Sequence, residues 1–213
     1  MASIWMSFRK VNALQSEAGK RGDKMKRIGV LAMQGAVAEH MEKISKLGAL
    51  PVKIRRKEEL AGLAGLILPG GESTTMTKLL REFSLLKPLQ QKIRGGLPVW
   101  GTCAGLILLA KEVVGQAGCL QSMDIRVKRN GYGGQLESFR IDQRVTAVSK
   151  EPLPLVFIRA PQIIEAGPEV RILSRVRGHI AAAEERNMLV TAFHPELSDD
   201  LSFHRYFLKT CQN

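Results

Sequence analysis

The sequence predicts an α/β protein with a single, mostly parallel, twisted sheet that is flanked by helices and extended by antiparallel strands. Two observations support the parallel part: short apolar runs alternate with segments of helical periodicity, and glycine-rich turns follow several of these runs. Alternating strands and helices favour parallel pairing, because each helix returns the chain to the same end of the sheet. A third observation, short runs separated by turn residues in the second half, predicts the antiparallel strands.

The 213 residues are enough for one α/β domain with a full core. We expect this domain to occupy residues 25–213, because a strand pattern begins directly after Met25 and no internal repeat or second domain is visible. Residues 1–24 are polar and basic and show no sustained period. They are expected to be a disordered extension, with Met25 as a candidate natural start.

The first half of the domain contains four predicted strands and four predicted helices. The strands are residues 28–33, 51–54, 66–68 and 98–101, and the helices are residues 37–47, 75–83, 85–93 and 106–113. In the first helix, Val37, Met41 and Ile44 are spaced so that they share one face.

The second half predicts strands of a different kind. Residues 124–128 and 136–141 flank a glycine-rich turn at 130–134, which suggests that these two strands are antiparallel. Further strands are predicted at 156–159, 171–176, 180–183 and 189–193, followed by a closing helix at 201–209.

The net charge of +12 is compatible with an anionic partner. The basic residues are spread along the chain with only short clusters at 55–57 and 126–129, and aromatic residues make up 5%, too few for a stacking platform. This pattern favours a basic solvated surface, which suits an acidic protein partner, over nucleic-acid binding.

Several classes of protein are disfavoured by composition. The sequence has no apolar run long enough to span a bilayer and no secretory signal pattern at its start. Its three cysteines, Cys103, Cys119 and Cys211, have neither the number of a disulfide framework nor the spacing of a metal site. We therefore expect a cytoplasmic protein without membrane association, metal or cofactor.

The segment Gly101-Thr102-Cys103-Ala104-Gly105 follows a predicted strand and precedes a helix. This is the pattern of a nucleophile elbow with cysteine as the nucleophile. Glycines suit the sharp turn, the helix N-terminus favours a thiolate, and the amide of Ala104 is free to stabilise an oxyanion. The alternative is a buried structural cysteine.

A candidate base follows the strand predicted near residue 190. His194 and Glu196 flank Pro195, and an extended segment would project both side chains to the same side. A thiol nucleophile requires an imidazole to move its proton and a carboxylate to orient that imidazole. The other histidines, His40, His179 and His204, are predicted to be structural.

The segment from Pro69 to Thr75 ends a predicted strand and begins a helix. Its glycines expose backbone amides, and the amide of Gly71 is a second oxyanion-hole candidate beside Ala104. Ser73 or Thr74 is expected to cap the following helix. The segment lacks the Gly-Lys-Ser/Thr ending of a nucleotide phosphate loop, which disfavours nucleotide binding.

Together these segments resemble class I glutamine amidotransferases, and more closely the glutaminase subunits of pyridoxal 5′-phosphate synthases. The resemblance covers roughly residues 26–210. It is carried by the blocks LAMQGA at 31–36, PGGESTT at 69–75, GTCAGL at 101–106, FIRAP at 157–161 and FHPEL at 193–197.

The resemblance implies a flavodoxin-like fold and hydrolysis of L-glutamine to L-glutamate and ammonia by Cys103, His194 and Glu196. It also implies a hetero-oligomer with a synthase subunit, a (β/α)8 barrel that receives the ammonia. Glutamine would be held by Gly71, Glu72, Ser73, Arg129, Ile158 and Arg159. Arginine suits the substrate carboxylate, and Glu72 suits its ammonium group.

One block departs from the family pattern. Residues 129–135 usually read Arg-Asn-x-Phe-Gly-Arg-Gln, and Gly134 replaces the second arginine here. This affects the expected rigidity of the loop or the docking of the partner, while Arg129 is present. Two other hypotheses remain open: a non-catalytic interaction subunit with a degenerate site, and a peptidase or other hydrolase on a similar fold.

Overall fold

A computed structural model describes residues 25–131 and 138–211 of the chain. The predicted N-terminal extension, residues 1–24, lies outside the described residues. So do residues 132–137, which include Gly134 and the start of the strand predicted at 136–141.

The described residues form strands and helices in the following order. The strands are β1 (Arg27–Leu31), β2 (Leu50–Ile54), β3 (Gly65–Leu68), β4 (Val99–Thr102), β5 (Ala110–Val113), β6 (Gln116–Ala117), β7 (Met123–Lys128), β8 (Ser138–Arg144), β9 (Pro152–Ile158), β10 (Gln162–Ala166), β11 (Arg171–Val176), β12 (His179–Glu185) and β13 (Met188–Thr191). The α-helices are α1 (Val37–Lys46), α2 (Ser73–Glu82), α3 (Leu86–Arg94), α4 (Ala104–Leu109) and α5 (Ser202–Thr210), and short 3-10 turns lie at Lys57–Leu60 and Pro195–Leu197.

The main sheet has a parallel half and a largely antiparallel half. The parallel half runs in the order β2-β1-β3-β4-β13. From β13 the sheet continues through β12, β10 and β7 with antiparallel pairing, and β11 also pairs with β12. The predicted α/β class, with a mostly parallel sheet flanked by helices and added antiparallel strands, is confirmed.

The parallel half forms because its strands are apolar on both faces. Leu66, Ile67 and Leu68 of β3 are all fully buried, as expected for strands covered by helices on either side. Helix α5 seals one part of this core, since Phe203 stacks on Trp100 of β4 at 6.3 Å between ring centroids.

The predicted helix at 106–113 is wrong in its second half. Helix α4 ends at Leu109, and the chain continues as strand β5, in which Ala110 and Val113 are buried while Lys111 and Glu112 are exposed. The uniformly apolar run before Leu109 carries no period that marks the end of the helix. Pairing of β5 with β7 decides the conformation of the later residues.

The antiparallel pairing predicted across the glycine-rich turn is also wrong. Strand β7 pairs with β10 and β5, whereas β8 pairs with β9 in a separate two-stranded sheet. Alternate residues of β7 are buried, but none of β8 is. The two strands that flank the turn therefore join different sheets, although Phe139 and Ile141 of β8 also pack against the core. Strands β6 and β10 were not predicted.

Two observations bear on membranes and metals. In the described parts of the chain, none of the helices combines the length and apolarity required to cross a bilayer. Within the same residues, histidine, cysteine and acidic side chains form no group of three or more that is arranged to hold a metal ion.

Candidate active site

Three neighbouring parallel strands deliver the candidate residues to one edge of the sheet. Leu68 of β3 is in register with Gly101 of β4, and Thr102 of β4 is in register with Thr191 of β13. The chain therefore leaves all three strands at the same level. Gly70, Cys103 and His194 follow β3, β4 and β13, respectively, so they emerge side by side.

The backbone at Cys103 adopts the conformation of an elbow. Its φ of 48° and ψ of −101° lie in a region that residues other than glycine rarely adopt. Its N–H donates to the carbonyl oxygen of Thr191 at 2.8 Å, which joins the elbow to β13. The side chain is largely buried and reduced, at the start of α4.

Two glycines make this elbow possible by allowing backbone segments to approach closely. A methyl group on Gly101 would lie 2.6 Å from the carbonyl of Gly105, and a methyl group on Gly105 would lie 1.9 Å from the carbonyl oxygen of Leu68. Both contacts are with backbone atoms, which cannot rotate away. The turn from β4 into α4 therefore requires glycine at both positions.

The imidazole of His194 packs next to the thiol. A methyl group on Gly70 would lie 2.5 Å from Cε1 of His194 and 3.6 Å from Cβ of Cys103. Gly70 thus packs directly against both side chains. The backbone N–H of His194 donates to the carbonyl oxygen of Val156 in β9 at 2.8 Å, so the smaller sheet holds the backbone that carries the ring.

Glu196 contacts the other side of the imidazole. Its Oε1 lies 2.7 Å from Nδ1 of His194, and its side chain is fully buried. The predicted pairing of these two residues is present, but the expected extended segment is not. Pro195 begins a 3-10 turn, and this turn brings Glu196 back toward the ring.

The charge of His194 follows from its two partners. Burial by itself would lower the pKa of the imidazole, but hydrogen bonds to Cys103 and Glu196 and the charges of these groups raise the pKa to about 10. The ring is therefore an imidazolium at neutral pH. A protonated imidazole is the partner that a sulfur nucleophile requires when its leaving group must receive a proton.

The two oxyanion-hole candidates, Ala104 and Gly71, follow the neighbouring strands β4 and β3, respectively. Ala104 is the first residue of α4, where backbone amides lack intrahelical acceptors. Gly71 has a φ of +152°, and a methyl group on it would lie 3.6 Å from Cα of Gly35, which itself has a φ of +90°. A methyl group on Gly35 would lie 1.6 Å from the carbonyl oxygen of Gly70, so the loops after β1 and β3 are in direct contact.

The cap of α2 differs from the expectation. Glu72, and not Ser73 or Thr74, caps the helix, because its carboxylate accepts from the amides of Thr74 at 3.0 Å and Thr75 at 2.7 Å. The bond from the amide of Thr74 is the main reason that the pKa of Glu72 falls to about 2. The amide of Glu72 in turn donates to Oε1 of Gln34 at 3.4 Å.

The remaining substrate candidates are exposed at or just after the ends of two strands. Arg129 follows β7, Ile158 is the last residue of β9, and Arg159 follows it. A hydrogen bond of 3.1 Å from the amide of Gly131 to the carbonyl of Ala160 joins the two loops. Arg129 also lines a cavity of about 350 Å³ together with Thr74, Thr77, Arg81, Ile107 and Cys119, among others.

One residue of the site was assigned only a structural role from the sequence. His40 of α1 lies 3.5 Å from Oε2 of Glu196, with both side chains fully buried. A signal was present, because His40 is three residues after Val37 and four before Ile44 and so falls on the buried face of the helix. A histidine in that position is usually a core residue, and only the contact with Glu196 identifies it as part of the site.

Comparison with known proteins gives a consistent result. A model of the SNO glutamine amidotransferase family matches residues 30–213. Pyridoxal 5'-phosphate synthase subunit PdxT of Clostridium botulinum (strain Loch Maree / Type A3) is 55% identical over 186 residues, which cover 86% of this chain and 96% of that protein. The subunit of the same name from Clostridium kluyveri is 52% identical and covers 87% of this chain and 100% of that protein.

Solved structures show the same relationship. A crystal structure of a glutamine amidotransferase superposes with a TM-score of 0.82 at 41% identity and covers 86% of this chain and 97% of that one. The structure of PurLQS from Thermotoga maritima superposes with a TM-score of 0.63 at 14% identity, which shows a shared fold alone.

Proposed function

This chain belongs to the SNO glutamine amidotransferase family, and on that premise we propose that Cys103, His194 and Glu196 hydrolyse L-glutamine and that the ammonia passes to a pyridoxal 5′-phosphate synthase subunit. The observation that carries the catalytic part is the convergence at Gly70. There the imidazole of His194 packs beside Cys103 while its Nδ1 lies 2.7 Å from Glu196.

In the proposed reaction, Cys103 acts as a thiolate nucleophile and His194 as its protonated partner. The sulfur of Cys103 attacks the side-chain amide carbon of glutamine, and a tetrahedral oxyanion forms. The imidazolium of His194 gives its proton to the amide nitrogen as the carbon–nitrogen bond breaks, so ammonia leaves and a glutamyl thioester remains. His194, now neutral, takes a proton from water, and the resulting hydroxide attacks the thioester to release L-glutamate and restore the sulfur.

Glu196 and the two amides support this sequence without exchanging protons. The carboxylate accepts from Nδ1–H of His194, which points Nε2 at the sulfur and stabilises the imidazolium. The amides of Gly71 and Ala104 are proposed to bind the oxyanion. Preorganised donors of this kind contribute about 3–4 kcal/mol each to the transition state in known hydrolases.

Substrate recognition is proposed for the residues around this edge. Arg129 and Arg159 bind the carboxylate of glutamine, and Glu72 attracts its ammonium group. Glu72 remains anionic while it caps α2, so its charge is available for this role. Ser73 and Ile158 complete the contacts, Ser73 from the buried start of α2 and Ile158 from the exposed end of β9.

The proposed partner is the synthase subunit, expected to be a (β/α)8 barrel in a hetero-oligomer. Its support is the name of the relatives, which are synthase subunits, and the character of the surface at the site. Ile158 is 37% exposed and Leu197 is 44% exposed, and both lie next to catalytic segments. Exposed apolar side chains around a reactive centre suit an interface that covers it.

The test uses the chain with and without its synthase subunit. Wild type should release glutamate from glutamine, and Cys103→Ala should remove this activity while its unfolding temperature is unchanged and the synthase still works with added ammonium salts. Retained glutamine hydrolysis by Cys103→Ala would reject the nucleophile.

A glutamine-analogue electrophile provides an independent check with internal controls. It should alkylate Cys103 alone, since burial raises the pKa of Cys211 to about 12 and raises the pKa of Cys119 as well. Peptide mapping that finds no adduct at Cys103 in the presence of the synthase would favour a non-catalytic subunit.

A further inference from the structure

A closed group of polar side chains lies behind Glu196, on the side away from Cys103. His40 of α1 places Nε2 3.5 Å from Oε2 of Glu196 and 3.4 Å from Oγ1 of Thr102. Its Nδ1 lies 2.9 Å from Nε2 of His204 in α5. All four residues are buried, so water does not separate these groups.

Packing leaves the two histidine rings little freedom. The indole of Trp100 meets His40 edge to face at 5.6 Å between centroids and meets His204 in the same way at 4.9 Å. Both rings are held in place by the indole of Trp100 as well as by each other. The position of Nε2 of His40 next to the carboxylate is therefore set by the core and does not depend on the substrate.

Both rings in this group are neutral. Burial, followed by the charges of His204 and His194, holds the pKa of His40 well below its usual value. Burial, followed by the charge of Lys43, lowers the pKa of His204 to about 3. A neutral imidazole has one donor and one acceptor nitrogen, so the direction of each contact has to be assigned.

The acceptor oxygens of Glu196 determine which ring nitrogen of each histidine carries the hydrogen. Oε2 of Glu196 is acceptor-only when ionised, so Nε2 of His40 has to carry its hydrogen; the other tautomer would place a lone pair against a carboxylate. Nδ1 of His40 then accepts, and Nε2–H of His204 donates to it. This leaves Nδ1 of His204 as a bare acceptor, and it is indeed without a partner among the described residues.

We propose that His40 is a positioning residue for the triad. It holds Oε2 of Glu196, so that Oε1 of the same carboxylate stays on Nδ1 of His194. The proposal rests on the proposed function, since it assigns a support to the same carboxylate. Within the described residues, Oε2 of Glu196 accepts no hydrogen bond of ordinary geometry, and Nε2 of His40, 3.5 Å away, is the nitrogen that contacts this oxygen. Without this group, the carboxylate is free to turn, and the imidazole loses its fixed orientation.

Two substitutions of similar polarity separate positioning from packing. The amide nitrogen of glutamine reaches to about the position of Nε2, whereas that of asparagine reaches only to about the position of Nδ1. His40→Gln therefore keeps a donor toward Glu196, and His40→Asn loses it. Residues that orient a catalytic or ligand group typically change activity about 10- to 100-fold when removed.

The measurement is steady-state glutamine hydrolysis with the synthase subunit present, together with the unfolding temperature. For His40→Asn we expect kcat to fall about 10- to 100-fold with KM within about twofold, and for His40→Gln we expect kcat within about threefold of wild type. Leu89→Ala, a fully buried core substitution on α3, controls for stability. If His40→Asn does not fold, His40→Leu takes its place.

The outcomes are distinct. Three results would each overturn the positioning role. The first is a kcat of His40→Asn within twofold of wild type. The second is a loss of kcat in His40→Gln as large as that in His40→Asn, and the third is an equal loss in Leu89→Ala. Cys103→Ala and Glu196→Gln are measured in the same assay, and both should be inactive or nearly so. If they are active, the proposed triad itself fails, whatever the His40 variants do.

Discussion

The proposed catalytic residues and the substrate-binding candidates differ in how the fold holds them. Cys103, His194 and Glu196 are buried beyond the ends of parallel strands, on backbone that admits no extra atom at Gly101 or Gly105. Arg129 and Arg159 are exposed on two loops joined to each other by one hydrogen bond between backbone groups. The proposed reacting groups are thus preorganised by the core, whereas the proposed recognition groups lie on surface loops, which are typically more mobile than the elements they connect.

The largest expected effect concerns the elbow. Gly105→Ala places a methyl group 1.9 Å from the carbonyl oxygen of Leu68, and overpacking typically costs about 1–3 kcal/mol, with the upper end expected here because the contact is with backbone. We expect loss of glutamine hydrolysis and a clear fall in unfolding free energy, measured by denaturant titration.

A matched control for the elbow is Gly48→Ala. Gly48, unlike Gly105, has a positive φ, but no atom lies within 4 Å of its added methyl group. It should lose only about 1 kcal/mol and keep its activity. Equal effects at Gly48 and Gly105 would mean that the elbow is not tightly packed.

A second substitution disturbs the chemistry and spares the fold. Gly70→Ala directs its methyl group at the ring of His194, 2.5 Å from Cε1, and the ring is able to move while the backbone stays. We expect kcat to fall about 100-fold or more, in the range found when general acid–base catalysis is lost, with the unfolding free energy within about 1 kcal/mol of wild type. An undiminished kcat would show that His194 does not act from this position.

Substitutions in the loops that carry Arg129 and Arg159 should change KM and leave kcat nearly unchanged. Arg159→Ala removes a charge-assisted hydrogen bond worth about 1.5–3 kcal/mol, so KM for glutamine should rise about 10- to 100-fold with kcat nearly unchanged. Arg140→Ala, on exposed strand β8, is the control for loss of positive charge and should behave like wild type. An unchanged KM in Arg159→Ala would reject the carboxylate role.

The smallest expected effect is on stability and concerns Glu72, which caps α2 and is also a substrate-binding candidate. Its pKa is lowered in the folded state to about 2, so the stability that its cap contributes is present above about pH 4.5 and is lost as pH falls toward 2. Because Glu72 is exposed, we expect only about 0.5–1 kcal/mol. The stability difference between wild type and Glu72→Gln should be constant near pH 6 and vanish near pH 2; a difference that persists at pH 2 would contradict the cap.

Local signals were sufficient where neighbouring residues decide the structure. The elbow was predictable because glycines on both sides of a cysteine, between a strand and a helix, are typical of a sharp turn that presents a nucleophile. His194 and Glu196 were predictable as a pair because they are only two residues apart. The second half of the predicted helix at 106–113 and the pairing around the turn at 130–134 were not predictable. Both depend on which distant strand offers a free edge, and no local pattern records that.

The sequence alone determined the fold class, the order of most elements and the chemical character of Cys103, His194 and Glu196, because periodicity, turn residues and side-chain chemistry are local properties. Tertiary structure alone decided that β5 is a strand, that Glu72 caps α2 and that His40 lies against Glu196. The last contact joins residues 156 positions apart. Such proximity arises from packing of the whole core, in which each position depends on every neighbour.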